Sequence, residues 1–200
     1  MAAPAGLPTD GRLARSVRSR RVVVDALLDL LSEGDLRPTG ARIAERAGVS
    51  LRSVFQHFAN LETLLAEAAD RQMDSLRPFV RPIEATGSRD ERLETFVVRR
   101  ARLLEAMAPV RRAALLEEPR SAVVADRLRR FRALGIAEVE RVFAPEIGAL
   151  SARDRKDIVA GLGAAASFST WEELRRHQRL SVARARRAFH RLLDGILPPG

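Results

Sequence analysis

Thr39, Ser50 and Asn60 each stand immediately before an apolar-periodic stretch, where a side-chain oxygen can accept from the free N–H groups of a first helical turn. Helix N-termini of this kind also present donors and a positive dipole end, which is favourable chemistry for phosphate oxygens. Two residues beyond Ser50 lies Arg52. A guanidinium can bind guanine O6 and N7 through two parallel hydrogen bonds, or can hold a phosphate, and both readings stay open for Arg52. Between the first two caps, Ala47-Gly48-Val49 makes a tight bend between two short apolar-periodic segments. This is the pattern of a helix-turn-helix, whose second helix enters the major groove of duplex DNA. The candidate contact residues are Thr39, Arg42, Ser50, Leu51, Arg52, Ser53, Phe55, Gln56, His57 and Asn60. For His57, a phosphate ligand and a histidine packed beside Phe58 are equal readings.

Positioning these groups requires a small helical scaffold. Apolar residues recur at three and four places along nearly the whole chain and no stretch alternates as a half-buried strand would, so the fold class is all-α. A first helix is expected at about 16–33, with Val23, Leu27, Leu30 and Leu31 as its buried stripe. Short helices at about 39–46 and 50–57 follow. Ile43, Ala44 and Ala47 pack the first of them; Val49, Val54 and Phe58 anchor the second and turn Leu51, Arg52, Ser53, Phe55 and Gln56 outward. A linking helix at about 61–78 completes a head over residues 16–80. Residues 1–15, with Pro4, Gly6, Pro8 and Gly11, read as a disordered arm with a basic end. Arg12, Arg15, Arg18, Arg20 and Arg21 run with no acid between Asp10 and Asp25, and could grip phosphate or merely solubilise.

The string from Arg21 to Ala68 contains T-x-x-x-I-A-x-x-A-G-V-S-x-x-x-V-F-x-H-F, met by Thr39, Ile43, Ala44, Ala47, Gly48, Val49, Ser50, Val54, Phe55, His57 and Phe58. In this it resembles the TetR family of bacterial transcriptional regulators. The resemblance covers about 48 residues. It implies a three-helix DNA-binding head, a linking fourth helix, and a larger helical domain that binds an effector and dimerises. It also implies a double-stranded DNA operator, a second copy of the chain and a small-molecule effector as partners, with repression as the expected sign of regulation. Three positions depart from the family. Phe55 lacks the hydroxyl of the usual Tyr, Leu61 replaces a usual Lys, and Ala41 stands where a basic residue is frequent. Phosphate grip is thinner as a result, and the arm arginines with Arg42 or Arg52 are the available compensation.

Residues 84–200 are expected to form the effector-binding and dimerisation domain, with helices at about 89–107, 109–118, 121–143, 151–177 and 181–197. Phe96, Arg100, Leu103, Met107, Phe131, Leu134 and Trp171 are the effector-site candidates, although core packing explains the apolar ones equally well. On the last helix Val182, Ala185, Phe189, Leu192, Leu193 and Ile196 form one stripe, a candidate dimer seam. Such a basic amphipathic helix is also compatible with a membrane surface. Gly161 and Gly163 lack the strand and the Gly-Lys-Ser/Thr of a phosphate loop; the small residues through Ala164, Ala165 and Ala166 instead permit close helix approach or leave space for a ligand.

Composition limits the classes. The 200 residues carry a net charge of +9, and Lys156 is the single lysine among 35 basic residues. The charge favours a polyanionic partner without naming it. There is no cysteine, hence no disulfide and no thiolate metal site, and no signal peptide or membrane span is read, so a cytoplasmic location is expected. His57, His177 and His190 are scattered, so no catalytic residue, metal site or cofactor is assigned. An effector-free helical DNA-binding or scaffolding protein and a peripheral membrane-binding protein are the alternatives.

Overall fold

The computed structural model describes residues 10–77 and 80–199, with side chains from Ala14 onward. Every regular element among them is helical: α1 (Asp10–Ser32), α2 (Gly40–Ala47), α3 (Leu51–His57), α4 (Leu61–Leu76), α5 (Arg89–Glu117), α6 (Ala122–Val142), α7 (Ala144–Gly148), α8 (Ala152–Ala165), α9 (Phe168–Glu172) and α10 (Val182–Ile196). After α9 the chain continues as one wider π turn, Glu173–His177. No helix among the described residues is long and apolar enough to cross a membrane.

Three boundaries differ from the periodicity. α1 starts at Asp10, so residues 10–15, read as the end of the arm, are helical, while residues 1–9 lie outside the described residues. Beyond Gly11 nothing in this stretch breaks a helix, and extending an existing helix by a turn avoids the cost of nucleation. The two helices expected on either side of Pro109 are one, α5. Proline forfeits the bond to the carbonyl four residues back, at Glu105. Burial of the flanking Met107, Ala108 and Val110 offsets that loss. Conversely, the single helix expected over 151–177 is interrupted at Ala166, because the Ser167 hydroxyl accepts from Thr170 N at 3.2 Å and starts a new helix.

The chain forms two compact units, one made of Met1–Met73 with Pro109–Val124, the other of Asp74–Ala108 with Ala125–Gly200. The sequence reading divides the chain once, near residue 84; the structure adds residues 109–124 to the first unit. There, Val23, Leu27, Leu30 and Leu31 of α1 meet Ile43 and Ala44 of α2, Val54 and Phe58 around α3, and Leu64, Leu65 and Ala68 of α4. Val110 and Ala113 of α5 complete the same core.

In the second unit Phe96 meets Phe143 edge-on at 5.4 Å, and Trp171 meets Phe189 in the same way at 5.5 Å. The Trp171 indole donates to Glu105 at 2.8 Å, and Arg175 donates to that carboxylate at 2.6 Å. The small residues on α8 allow close approach, since a Cβ on Gly161 would lie 3.4 Å from Ile196 and one on Gly163 3.2 Å from Ile136. Arg92 and Glu146 form an ion pair with both side chains almost fully buried.

Candidate nucleic-acid interface

Thr39 accepts from Arg42 N at 3.3 Å and Ser50 accepts from Ser53 N at 3.1 Å, which fixes where α2 and α3 begin. Asn60 accepts from Thr63 N at 2.8 Å, and Thr63 Oγ1 accepts in return from Asn60 N at 3.4 Å. Two orphan donors are thus satisfied at the start of α4, in the manner of a capping box. Between α2 and α3, Gly48 adopts φ 64° and ψ 31° and closes α2 through bonds to Ala44 O and Glu45 O. Glycine enters this left-handed region without the strain that a Cβ brings.

These caps and Val54, which is completely buried, leave α3 a single orientation. Its outer face carries Leu51, Arg52, Phe55 and Gln56, all exposed, while Ser53 and His57 are half-buried. Gly40 holds part of that face. A Cβ there would lie 3.1 Å from Leu51 Cδ1 and from Phe55 Cζ, so the Phe55 ring and Leu51 rest over the start of α2 where glycine leaves room. Gly40→Ala is therefore expected to displace the ring and lower duplex affinity several-fold with little change in melting temperature. Fluorescence anisotropy with duplex DNA and a thermal melt would check this; unchanged affinity would mean the seat has no bearing on DNA binding.

Charge in the head is mostly spoken for. Arg20 donates through Nε to both Glu67 carboxylate oxygens at 2.9 Å, through Nη1 to His57 O at 2.7 Å, and sits 4.5 Å over the Phe58 ring. The hydrogen bond to Glu67 raises its already high pKa. Arg20, read as an arm cation, is thus a clamp between α1, the end of α3 and α4. Arg46 pairs with Glu33 through both terminal nitrogens, at 2.8 and 2.7 Å, and this pairing lowers the Glu33 pKa. Arg42 pairs with Asp35 at 3.2 Å and Arg71 with Asp25 at 2.7 Å. Arg18, Arg21 and Arg52 are exposed and their side chains have no partner among the described residues. No local spacing announces the Arg20 clamp, because Glu67 lies 47 residues away.

The other candidates are distributed differently. Phe96, Leu103, Met107 and Trp171 are buried and packed; Phe131 is half-buried. Leu134 is 68% exposed. The Arg100 guanidinium is buried against Glu138 at 2.7 Å and donates to Gly135 O, and desolvation lowers its pKa. On α10, Ala185, Phe189 and Leu193 are fully buried within their own unit, which removes them from any seam with a second copy. Periodicity cannot separate a stripe that faces the protomer's core from one that faces a partner. Val182 and Leu192 remain exposed and Ile196 half-buried. The same burial fills most of the apolar face that a membrane surface would take.

No family model and no curated protein matches the chain. Solved structures do resemble it. A transcriptional regulator from Rhodococcus sp. Rha1 superposes with a TM-score of 0.71 at 19% identity, covering 89% of this chain and 95% of its own. A TetR-family transcriptional regulator from Streptomyces coelicolor gives 0.69 at 19% identity, covering 90% and 78%. MexZ, a repressor responsible for antibiotic resistance in Pseudomonas aeruginosa, gives 0.57 at 22% identity, covering 90% and 94%. The fold is that of these regulators.

Proposed function

We propose that the chain is a TetR-type transcriptional regulator that binds a roughly palindromic operator as a homodimer, represses from it, and releases it in response to a small molecule. The observation that carries the reading is α3 itself: a helix fixed by caps on both sides, offering Leu51, Arg52, Phe55 and Gln56 to solvent, with Arg52 unpaired among the described residues. An exposed cation on a rigid helix after a glycine bend suits a major groove. The resemblance of residues 21–68 to TetR heads and the shared fold support the same conclusion.

Dimerisation sets the geometry, since two recognition helices must reach successive major grooves about 34–36 Å apart. Val182, Leu192 and Ile196 on α10 are the apolar residues left for that seam. An effector that favours one head spacing over another changes operator affinity by its differential affinity for the two states. The helices of residues 89–171, distinct from most of the head, are the part of the chain on which we place that effector. Double-stranded DNA, a second copy and an effector are thus the partners of the reading, and no cofactor or catalytic residue enters it.

Recovery of bound genomic fragments with the purified protein tests the reading: a small set of sites sharing an inverted repeat is expected. Uniform recovery of all sequences, or a monomer by sedimentation at micromolar concentration, overturns it. Arg18 and Arg21, three residues apart on one face of α1, hold phosphates in this account. Arg18→Ala with Arg21→Ala should reduce the slope of log affinity against log salt by about 0.9 for each phosphate no longer neutralised, uniformly over sequences. A salt titration of duplex binding reads the slope directly.

A further inference from the structure

The head contains a cavity of about 260 Å³ whose lining residues all belong to the first unit. Leu27, Leu31, Ile43, Leu65 and Val124 form its apolar walls. The pocket is partly open to solvent, and an apolar body entering it would displace water from walls that in large part offer it no hydrogen bond. An apolar body regains the dispersion attraction that the walls lack.

One wall is polar. The buried Ser121 hydroxyl donates to Glu62 Oε1 and accepts from Val124 N at 3.0 Å, so both of its functions are in use. Glu62, half-buried in the first turn of α4, keeps its second carboxylate oxygen without a donor among the described residues. The cations that share this lining are engaged: Arg37 pairs with Glu117 at 3.4 Å and donates to Leu116 O at 3.1 Å, and Arg120 donates to the same carbonyl at 3.3 Å. A carboxylate oxygen lacking a donor among the described residues, beside the apolar part of this pocket, suits a ligand with a cationic N–H group on a hydrophobic body.

We propose that this cavity is a second small-molecule site, inside the DNA-binding unit, for a monocationic amine carried on an aromatic or branched aliphatic body of roughly a dozen non-hydrogen atoms. It rests on the regulator reading for its biological meaning, and on the cavity and Glu62 alone for its existence. The ammonium sits against Glu62 and the body fills the space between α1, α4 and Ala113 of α5.

Tryptamine and indole-3-acetate, which share a ring system and differ in charge, are the probes, titrated calorimetrically into the full chain. Tryptamine is expected to bind about tenfold or more tightly than indole-3-acetate, as a charge-assisted hydrogen bond requires. Glu62→Gln should abolish that preference, and Ala113→Leu, which fills the cavity, should remove tryptamine binding. Circular dichroism checks that both variants fold; if Ala113→Leu does not, Glu62→Gln decides. No tryptamine binding at millimolar concentration, or an undiminished preference in Glu62→Gln, overturns the proposal. Duplex binding by the same samples without probe is a separate readout, so the site and the regulator reading fail independently.

Discussion

Arg52→Ala should weaken duplex binding by about 5- to 150-fold, corresponding to about 1–3 kcal/mol for removal of one bidentate base pairing, and leave thermal stability unchanged. The two halves of this expectation have different origins. Stability is untouched because the side chain is exposed and has no partner among the described residues, so its removal orphans nothing in the protein. Affinity falls because α3 is held by Ser50, Gly48 and the buried Val54, so the helix itself does not shift to replace the lost contact. The measurement also separates base from phosphate: a base contact relaxes specificity at one operator position, whereas a phosphate contact lowers affinity equally on all duplexes and reduces the salt slope. Anisotropy titrations on the operator and on a scrambled duplex at two salt concentrations distinguish them. Equal affinity of Arg52→Ala and the parent protein would remove α3 as the reading element.

The largest stability effect is expected in the second unit, at Arg92 and Glu146. Their ion pair is almost fully buried, at 5% and 4% side-chain exposure, and Arg92 also donates to Gly87 O. Arg92 Nε and Glu146 Oε2 are buried without hydrogen-bond partners. Arg92→Met strands a carboxylate in the interior and should cost about 3–5 kcal/mol, since removing one partner leaves an uncompensated buried charge. For a chain of this size that lowers the melting temperature by about 6–20 °C. Arg92→Met with Glu146→Leu removes both charges and should recover most of the loss. A double-mutant cycle by thermal or urea unfolding measures the coupling; additive losses would show that the pair is not the source of the effect.

The head is largely legible in the sequence because its signals are local. Caps lie next to the turns they start, and Gly48 sits at the bend whose backbone demands it. The outward face of α3 follows from the spacing of Val54 and Phe58. What escapes a reading of the sequence depends on residues far apart along the chain. The Arg20 clamp joins α1 to Glu67, the Phe55 ring depends on an absent side chain at Gly40, and the head's core borrows Val110 and Ala113. The α10 stripe shows the limit from the other side. Periodicity identifies which residues share a face, but Phe189 against Trp171 decides that this face is turned inward. Pro109 does not break α5, because a local penalty of about 3 kcal/mol is small beside the burial around it.

Val110, Ala113 and Ser121 belong to the head, yet they lie beyond residue 80, where its helix-turn-helix and linking helix are already complete. Order of synthesis and order of assembly therefore part company. At about 5–20 residues per second, the first four helices leave the ribosome several seconds ahead of the piece that finishes their core. A chain stopped near residue 80 would lack Val110 and Ala113 and leave that side of the core uncovered.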